Sequence, residues 1–307
     1  MAVPTHVVTS AAVGARLVDH LRDHLGVVVR RTVGPLIARG AVLVDGRVGR
    51  IADAVAVGQA IDVDAAALDD LHADGLTVPP SEVVVPVLHE DEDLLVADKP
   101  AGMHVHPMGR HRDDTLVGTM LWRAGARGDH PWTRWRPHPV HRLDRPTSGL
   151  LLVAKSRVVQ EAFAAHLASG ALERTYHATV HGEVTGESGT IDLPLGRDPH
   201  RDYRRAVVPL DQGGQTAVTH WRVVDRHSDR TRLEVRIETG RTHQIRVHLA
   251  AMGTPIAGDA LYREGAESLP DGGPRPGVTD LALRAVRLTF PHPTSGQRVT
   301  VTAADTE

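Results

Sequence analysis

The 307-residue chain has no cysteine. That excludes disulfides, thiolate metal sites and thiol catalysis, and it suits an intracellular protein. Aromatic residues make up only 3% of the chain, so Val, Leu, Ile and Ala have to fill the interior and each aromatic invites a specific question. No run reaches the roughly 18 apolar residues of a membrane span. The opening "MAVPTHVVTSAAVGARL" has no basic segment followed by an apolar core. The expectation is a cytoplasmic protein with no membrane partner. Nor is there an excess of positive charge: the formal net charge is −3, unlike proteins that coat nucleic acid indiscriminately.

What charge there is lies unevenly. Residues 1–75 carry seven Arg against nine Asp, whereas residues 130–155 carry four Arg and one Lys against a single acid, Asp144. Hydrophobic patterning divides the chain in a similar way. "ARLVDHLRDHL" places Leu17, Leu21 and Leu25 at helical spacing, and the Asp45-Gly46 pair between "AVLV" and "RV" signals a hairpin. These features predict a small module over residues 11–66. The acidic stretch 67–85, closed by Pro79-Pro80, follows as a linker with about one helical turn.

From residue 86 onward strands alternate with loops and a few helices. "GLLLVAK" predicts a buried strand, and "RTRLEVRIETG" turns Leu233, Val235 and Ile237 to one side. "SRVVQEAFAAHLASG" predicts a helix capped by Ser156, with Val159, Phe163 and Leu167 on one face and Gly170 at its stop. A second helix is expected from Thr242, with Ile245, Leu249 and Met252 inward. The fold class expected is α+β with a mixed, mostly antiparallel sheet. "EGAESLPDGGPRPGV" predicts a polar surface loop.

Three stretches stand out chemically. In "PVHRLDRPTSGLLLVAKS", Asp144 lies between two arginines at the entrance to a buried strand, where a catalytic group or a turn-capping Asp are both possible readings. In "ETGRTHQIRVHLAAMG", Arg241, His243, Arg246 and His248 crowd a strand-to-helix junction. Gly240 permits a left-handed turn there, and Arg241, ahead of the helix, is the candidate to point into a site. The alternative is a helix with a charged outer face. Tyr176, one of three tyrosines, either fills the core or stacks on a base. The pairs His104/His106 and His138/His141 lack a carboxylate at metal spacing, so no metal site is expected.

"VADKPAGMHVHP", "HRLDRPTSGLLLVAKS", "ERTYHATVHG", "GGQTAVTHWRVV", "ETGRTHQIRVHLAAMGTPIAGDALY" and "LALRAVRLTFPHP" occur in that order. Together they resemble the RluA type of RNA pseudouridine synthase, with residues 86–307 as the catalytic domain. Residues 11–66 resemble the small RNA-binding domain of a small-subunit ribosomal protein. The resemblance implies an isomerase that needs no cofactor. It breaks a uridine's glycosidic bond, turns the held uracil and rejoins it through a ring carbon. Asp144 matches the family's catalytic aspartate, acting as nucleophile or base, and Arg241 is matched to the arginine paired with it. Tyr176 matches the tyrosine on the target uracil, and Arg142 the residue that fills the gap left by the flipped base. Ile245, His141 and Lys99 complete the implied substrate-binding set. The implied partner is RNA, most simply large-subunit ribosomal RNA, with tRNA as the alternative substrate. A non-catalytic RNA-binding or ribosome-assembly factor is the competing class. A monomer with no obligate protein partner is expected. Arg284 stands where family members often carry His.

Overall fold

A computed structural model describes residues 3–9, 15–108, 111–127, 130–262 and 281–304. The expected surface loop "EGAESLPDGGPRPGV" lies outside them. The chain divides into two compact units, one of residues 1–84 with 104–138 and one of residues 85–103 with 139–307.

The first unit carries β1 (His6–Val7), α1 (Leu17–His24), α2 (Val33–Ala38), β2 (Val42–Val44), β3 (Arg47–Val48), β4 (Ala60–Val63), α3 (Ala65–Ala73) and α4 (Leu116–Ala124). Its sheet runs β1-β4-β2-β3. Leu17, Leu21 and Leu25 are fully buried, as their spacing predicts. Asp45 and Gly46 link β2 to β3 with φ of 48° and 75°, the positive values a two-residue hairpin turn of this hand needs. The stretch expected as a linker is more ordered than one turn. Asp64 caps α3, accepting from the Ala66 N–H, and Ala67 and Leu71 join the core.

Residues 104–138, which the sequence places with the catalytic stretch, cluster instead with this first unit. Trp132 enters the same core as Leu17 and Leu21 and donates its indole N–H to the Pro4 carbonyl at 2.8 Å. Arg136 donates to the carbonyls of Arg22, Leu25 and Val28 at 3.0, 3.4 and 2.7 Å. It thereby satisfies the Arg22 carbonyl in the last turn of α1 and ties the segment that follows it.

The second unit holds β5 (Val87–Glu90) and β6 (Leu94–Lys99), and the chain re-enters it through the two-residue strand β7 (His138–Pro139). There follow β8 (Ser148–Ala154), α5 (Arg157–Ala168), β9 (Glu173–His181), β10 (Ser188–Asp192), β11 (Leu195–Asp198) and β12 (Arg201–Val207). The unit closes with β13 (Val218–His227), β14 (Arg230–Ile237), α6 (Gln244–Ala251), β15 (Leu283–Pro291) and β16 (Arg298–Thr302). The main sheet runs β10-β13-β14-β9-β15-β8-β6-β5, with β16 beside β15 and with β11 and β12 forming a separate hairpin. Every pairing along this run is antiparallel except that of β8 with β15, so the α+β class with a mostly antiparallel sheet is what the chain forms. Leu150 to Ala154 are fully buried in β8, and Leu233, Val235 and Ile237 point inward from β14. Ser156 caps α5 by accepting from the Val159 N–H at 3.3 Å. Among the described residues no helix is long and apolar enough to cross a membrane.

The β8–β15 crossing decides how the chain leaves the turn that holds Asp144. Gly149 sits there with φ of 107°, and a Cβ on it would lie 2.2 Å from the Ala285 carbonyl oxygen. Neither the backbone angle nor the strand spacing admits a side chain. Gly149→Ala should therefore cost at least about 3 kcal/mol. The measurement is the urea midpoint of unfolding, and an unchanged midpoint would contradict the crossing as described.

Candidate active site

Asp144 is placed by a turn immediately before β8, in which the Thr147 N–H donates to the Asp144 carbonyl at 3.1 Å. The Asp144 side chain is 15% exposed, so it is reachable yet mostly enclosed. The cation against it is Arg246, whose Nη1 lies 3.4 Å from Asp144 Oδ2. Arg246 is gripped more closely on its other edge. Its Nε and Nη2 donate to the two oxygens of Asp259 at 2.8 and 2.9 Å, a bidentate pair with side chains 4% and 0% exposed. Asp259 Oδ1 also accepts the backbone N–H groups of Leu261 and Tyr262. Burial alone would lower the Arg246 pKa. The hydrogen bonds and charge of Asp259, with that of Asp144 added, raise it above the ordinary arginine value.

This corrects the expectation for Arg241. Arg241 is exposed, and its Nε donates to the Thr216 carbonyl at 3.0 Å rather than to Asp144. Nor has α6 a charged outer face: Gln244, Arg246 and His248 are all buried. A helix enclosed in this way must satisfy its polar groups internally. Gln244 Nε2 donates to the Val218 carbonyl and the Thr219 hydroxyl, and its Oε1 accepts from the Thr239 hydroxyl and the Arg241 N–H. His248 bridges the Thr219 hydroxyl and the Leu193 carbonyl at 2.8 and 2.9 Å. These bonds fix the rotation of α6 and hence the direction of Arg246. Gly240 also has a different role from the one expected. The left-handed residue at the junction is His243, with φ of 59°, whereas a Cβ on Gly240 would sit 2.8 Å from Arg174 Nη1.

Tyr176, on β9, is brought to the same place. Burial pushes its phenol up to about 12, Arg174 opposes that, and the neighbouring Asp144 charge adds to it. At neutral pH the ring is therefore a protonated phenol, suited to stacking and to donating a hydrogen bond. Arg174, two residues earlier, is buried and reaches the Glu238 and Thr239 carbonyls at 3.4 Å each, tying β9 to the loop that leads into α6. Ile245 is buried beside Arg246 on α6, and Arg142 is exposed on the Asp144 turn.

Two further candidates are structural rather than ligand-facing. Lys99 is fully buried, and its ammonium donates to the carbonyls of Pro100, Met103 and Arg145 at 2.9, 3.0 and 3.2 Å. All three donors are used, so none remains for a ligand. They pin the turn carrying Asp144 to the end of β6. Burial lowers the Lys99 pKa to about 8, with Asp144 acting against the fall. His141 Nε2 accepts the Leu152 N–H at 3.2 Å, and burial foremost, with Arg174 next, lowers its pKa to about 3. It is a neutral strut between the turn and β8. Arg284 pairs with Asp98 at 2.7 Å, which gives the residue at this unusual position a partner on β6. Among the described residues no three His, Asp or Glu side chains are grouped as a metal site requires.

Sequence reasoning did not find Asp259, Tyr262 or Arg246 as members of this site. Asp259 lies 13 residues beyond Arg246 and 115 beyond Asp144, and no local periodicity links them.

Comparison with known proteins identifies the family. Residues 93–251 match the family described as RNA pseudouridylate synthase. The chain is 38% identical over 303 residues to ribosomal large subunit pseudouridine synthase D of Xanthomonas campestris, covering 97% of this chain and 87% of that one. It is 37% identical over 269 residues to the protein of the same name in Pseudomonas aeruginosa, covering 86% and 80% respectively. The fold is shared with human RNA pseudouridylate synthase domain containing 1, at a TM-score of 0.57 and 23% identity over 74% of this chain and 86% of that one. With a mostly antiparallel sheet presenting one enclosed aspartate to a buried arginine, and with relatives matched over almost its whole length, the chain belongs to the RNA pseudouridylate synthase family of RNA isomerases.

Proposed function

We propose that this pseudouridine synthase acts on uridine in large-subunit ribosomal RNA, with Asp144 as the catalytic carboxylate. The observation that carries the assignment of Asp144 is its placement: an accessible acid on a pinned turn, against an arginine held on its other edge by Asp259. The ribosomal substrate is supported by the relatives named ribosomal large subunit pseudouridine synthase D, one of which is matched over 97% of this chain. Ribosomal RNA as substrate places the work in the cytoplasm. The protein acts as a monomer, and residues 11–66 add a second RNA-contacting surface to the catalytic stretch 86–307.

The chemistry assigned to each group follows from its surroundings. The target uridine leaves the RNA stack at a cost of a few kcal/mol, and exposed Arg142 occupies the gap. The uracil packs on Tyr176 beside Ile245. Asp144 then acts on the sugar or the base, as nucleophile or as base. Arg246 orients it, with Nη1 3.4 Å from Asp144 Oδ2. After the glycosidic bond breaks, the enclosed site holds the uracil while it turns and rejoins through carbon. The hydrogen on that carbon is lost to solvent.

That loss gives the direct test. RNA tritiated at the uracil 5-position should release tritium with the parent protein, and Asp144→Asn should reduce release below detection without moving the unfolding midpoint by more than a few degrees. A folded Asp144→Asn protein that still releases tritium would contradict the assignment. Pseudouridine mapping across total RNA, with and without the protein, names the substrate. The expected result is a vanished site in large-subunit ribosomal RNA, and a vanished tRNA site instead would overturn that part.

The two arginines make a second test. Arg246→Ala leaves Asp259 buried without its partner, so it should cost about 3–5 kcal/mol of stability as well as activity. Arg241→Ala removes an exposed contact to a carbonyl and should change turnover by less than about tenfold. Comparable losses of activity in both variants would show that Arg241 has a role its position does not explain.

A further inference from the structure

The helix that carries Arg246 begins at a residue held in an unfavourable conformation. His243 is the N-cap of α6 with φ of 59° and ψ of 18°, in the left-handed region. For a residue other than glycine that costs about 1–3 kcal/mol and persists only where the surroundings impose it. Strain of this kind concentrates at sites that hold ligands. Three residues further on lies Arg246, whose guanidinium is 5.1 Å from the centre of the Tyr262 ring that His243 also meets edge-on.

The surroundings favour one tautomer of the imidazole. His243 Nδ1 lies 2.7 Å from the Tyr262 hydroxyl, and that hydroxyl accepts the Arg205 N–H at 2.9 Å. The phenolic proton is left to be donated, and Nδ1 is the acceptor in reach. With Nδ1 accepting that proton, the neutral ring bears its hydrogen on Nε2. No described residue takes the Nε2 proton. The charged or titratable groups acting on the ring are Asp144, Arg246, Asp259, Arg205 and Tyr262, while Arg204 lies with its guanidinium 5.0 Å from the Tyr262 ring centre. Burial is the largest influence and holds the imidazole below its ordinary range, so it is neutral at pH 7.

We propose that His243, as a neutral imidazole fixed by Tyr262, donates its Nε2–H to an oxygen of the uridine held at Asp144 and aligns that nucleotide for isomerisation. A neutral donor suits the place, since a second cation would compete with Arg246 for the Asp144 carboxylate. The rigid backbone of the N-cap and the Arg205–Tyr262–His243 chain preorganise the donor, so no reorientation is needed when the nucleotide arrives. The inference rests on the reading of Asp144 as the reacting centre.

The test measures kcat and KM on one RNA from pH 5 to 8 for the full-length parent, His243→Asn, Tyr262→Phe and Asp144→Asn. Asparagine tolerates the left-handed backbone, so His243→Asn removes the imidazole with little added strain. It should lower kcat by at least about tenfold, the scale of one positioned donor. In the parent, activity should fall as pH drops through the titration of His243, because protonation places a hydrogen on Nδ1 where the Tyr262 hydroxyl donates. Tyr262→Phe removes the bond that favours the neutral ring, so this acidic fall should move to higher pH. A purely structural role would reduce activity equally at every pH. The inference is overturned if His243→Asn turns over at the parental rate. Should that variant not fold, it is overturned if Tyr262→Phe leaves the acidic fall where it is in the parent. Asp144→Asn separates the two readings: an active Asp144→Asn overturns the site itself, whereas an inactive one beside a fully active His243→Asn overturns the role of His243 alone.

Discussion

The contact between Arg246 and Asp259 is the constraint on which the site depends. Both side chains are almost wholly removed from water, and their two hydrogen bonds of 2.8 and 2.9 Å compensate for the desolvation. An apolar pair of the same size could fill that space and cost nothing in desolvation. The ion pair instead leaves one edge of the guanidinium free, and Asp144 lies at that edge. Asp259 also accepts the N–H groups of Leu261 and Tyr262, which sets the path of the chain towards the Tyr262 hydroxyl and so the orientation of His243. One buried bidentate pair thus positions the arginine and, through Tyr262, the imidazole at the start of α6.

Asp144 is fixed independently from the other side. Lys99 contributes three hydrogen bonds to backbone carbonyls around its turn, His141 ties the turn to β8, and Gly149 allows β8 to run against β15 without a side chain between them. Acid and arginine come from segments 102 residues apart, and each is held by its own set of backbone contacts. Their separation of 3.4 Å is therefore a property of the fold and does not depend on either side chain alone.

This division explains what could be read from the sequence. Features written in adjacent residues were legible: the Asp45-Gly46 hairpin, the Ser156 cap with Val159 and Phe163 inward, the alternation of Leu233, Val235 and Ile237, and Asp144 in its turn. The arginine assignment failed because helical periodicity assumes that a helix has an outer face, and α6 has hardly any. Once Gln244, Arg246 and His248 are enclosed, the residue pointing at Asp144 is decided by Asp259 and Thr219, which no pattern within "GRTHQIRVHL" announces. Lys99 and His141 were expected to bind substrate, but their hydrogen bonds go to backbone, a distinction that sequence does not carry. The grouping of 104–138 with the first unit depends on Trp132 and Arg136 meeting α1 more than a hundred residues away.

The most direct test of this account is an experimental structure of the protein bound to RNA in which the target uridine carries fluorine in place of the exchangeable ring hydrogen. The account predicts the flipped nucleotide in contact with Asp144 and packed on Tyr176, with Arg246 within hydrogen-bond distance of Asp144 and still bidentate to Asp259. A nucleotide bound with Arg241 against Asp144, or with the Arg246–Asp259 pair broken, would contradict it.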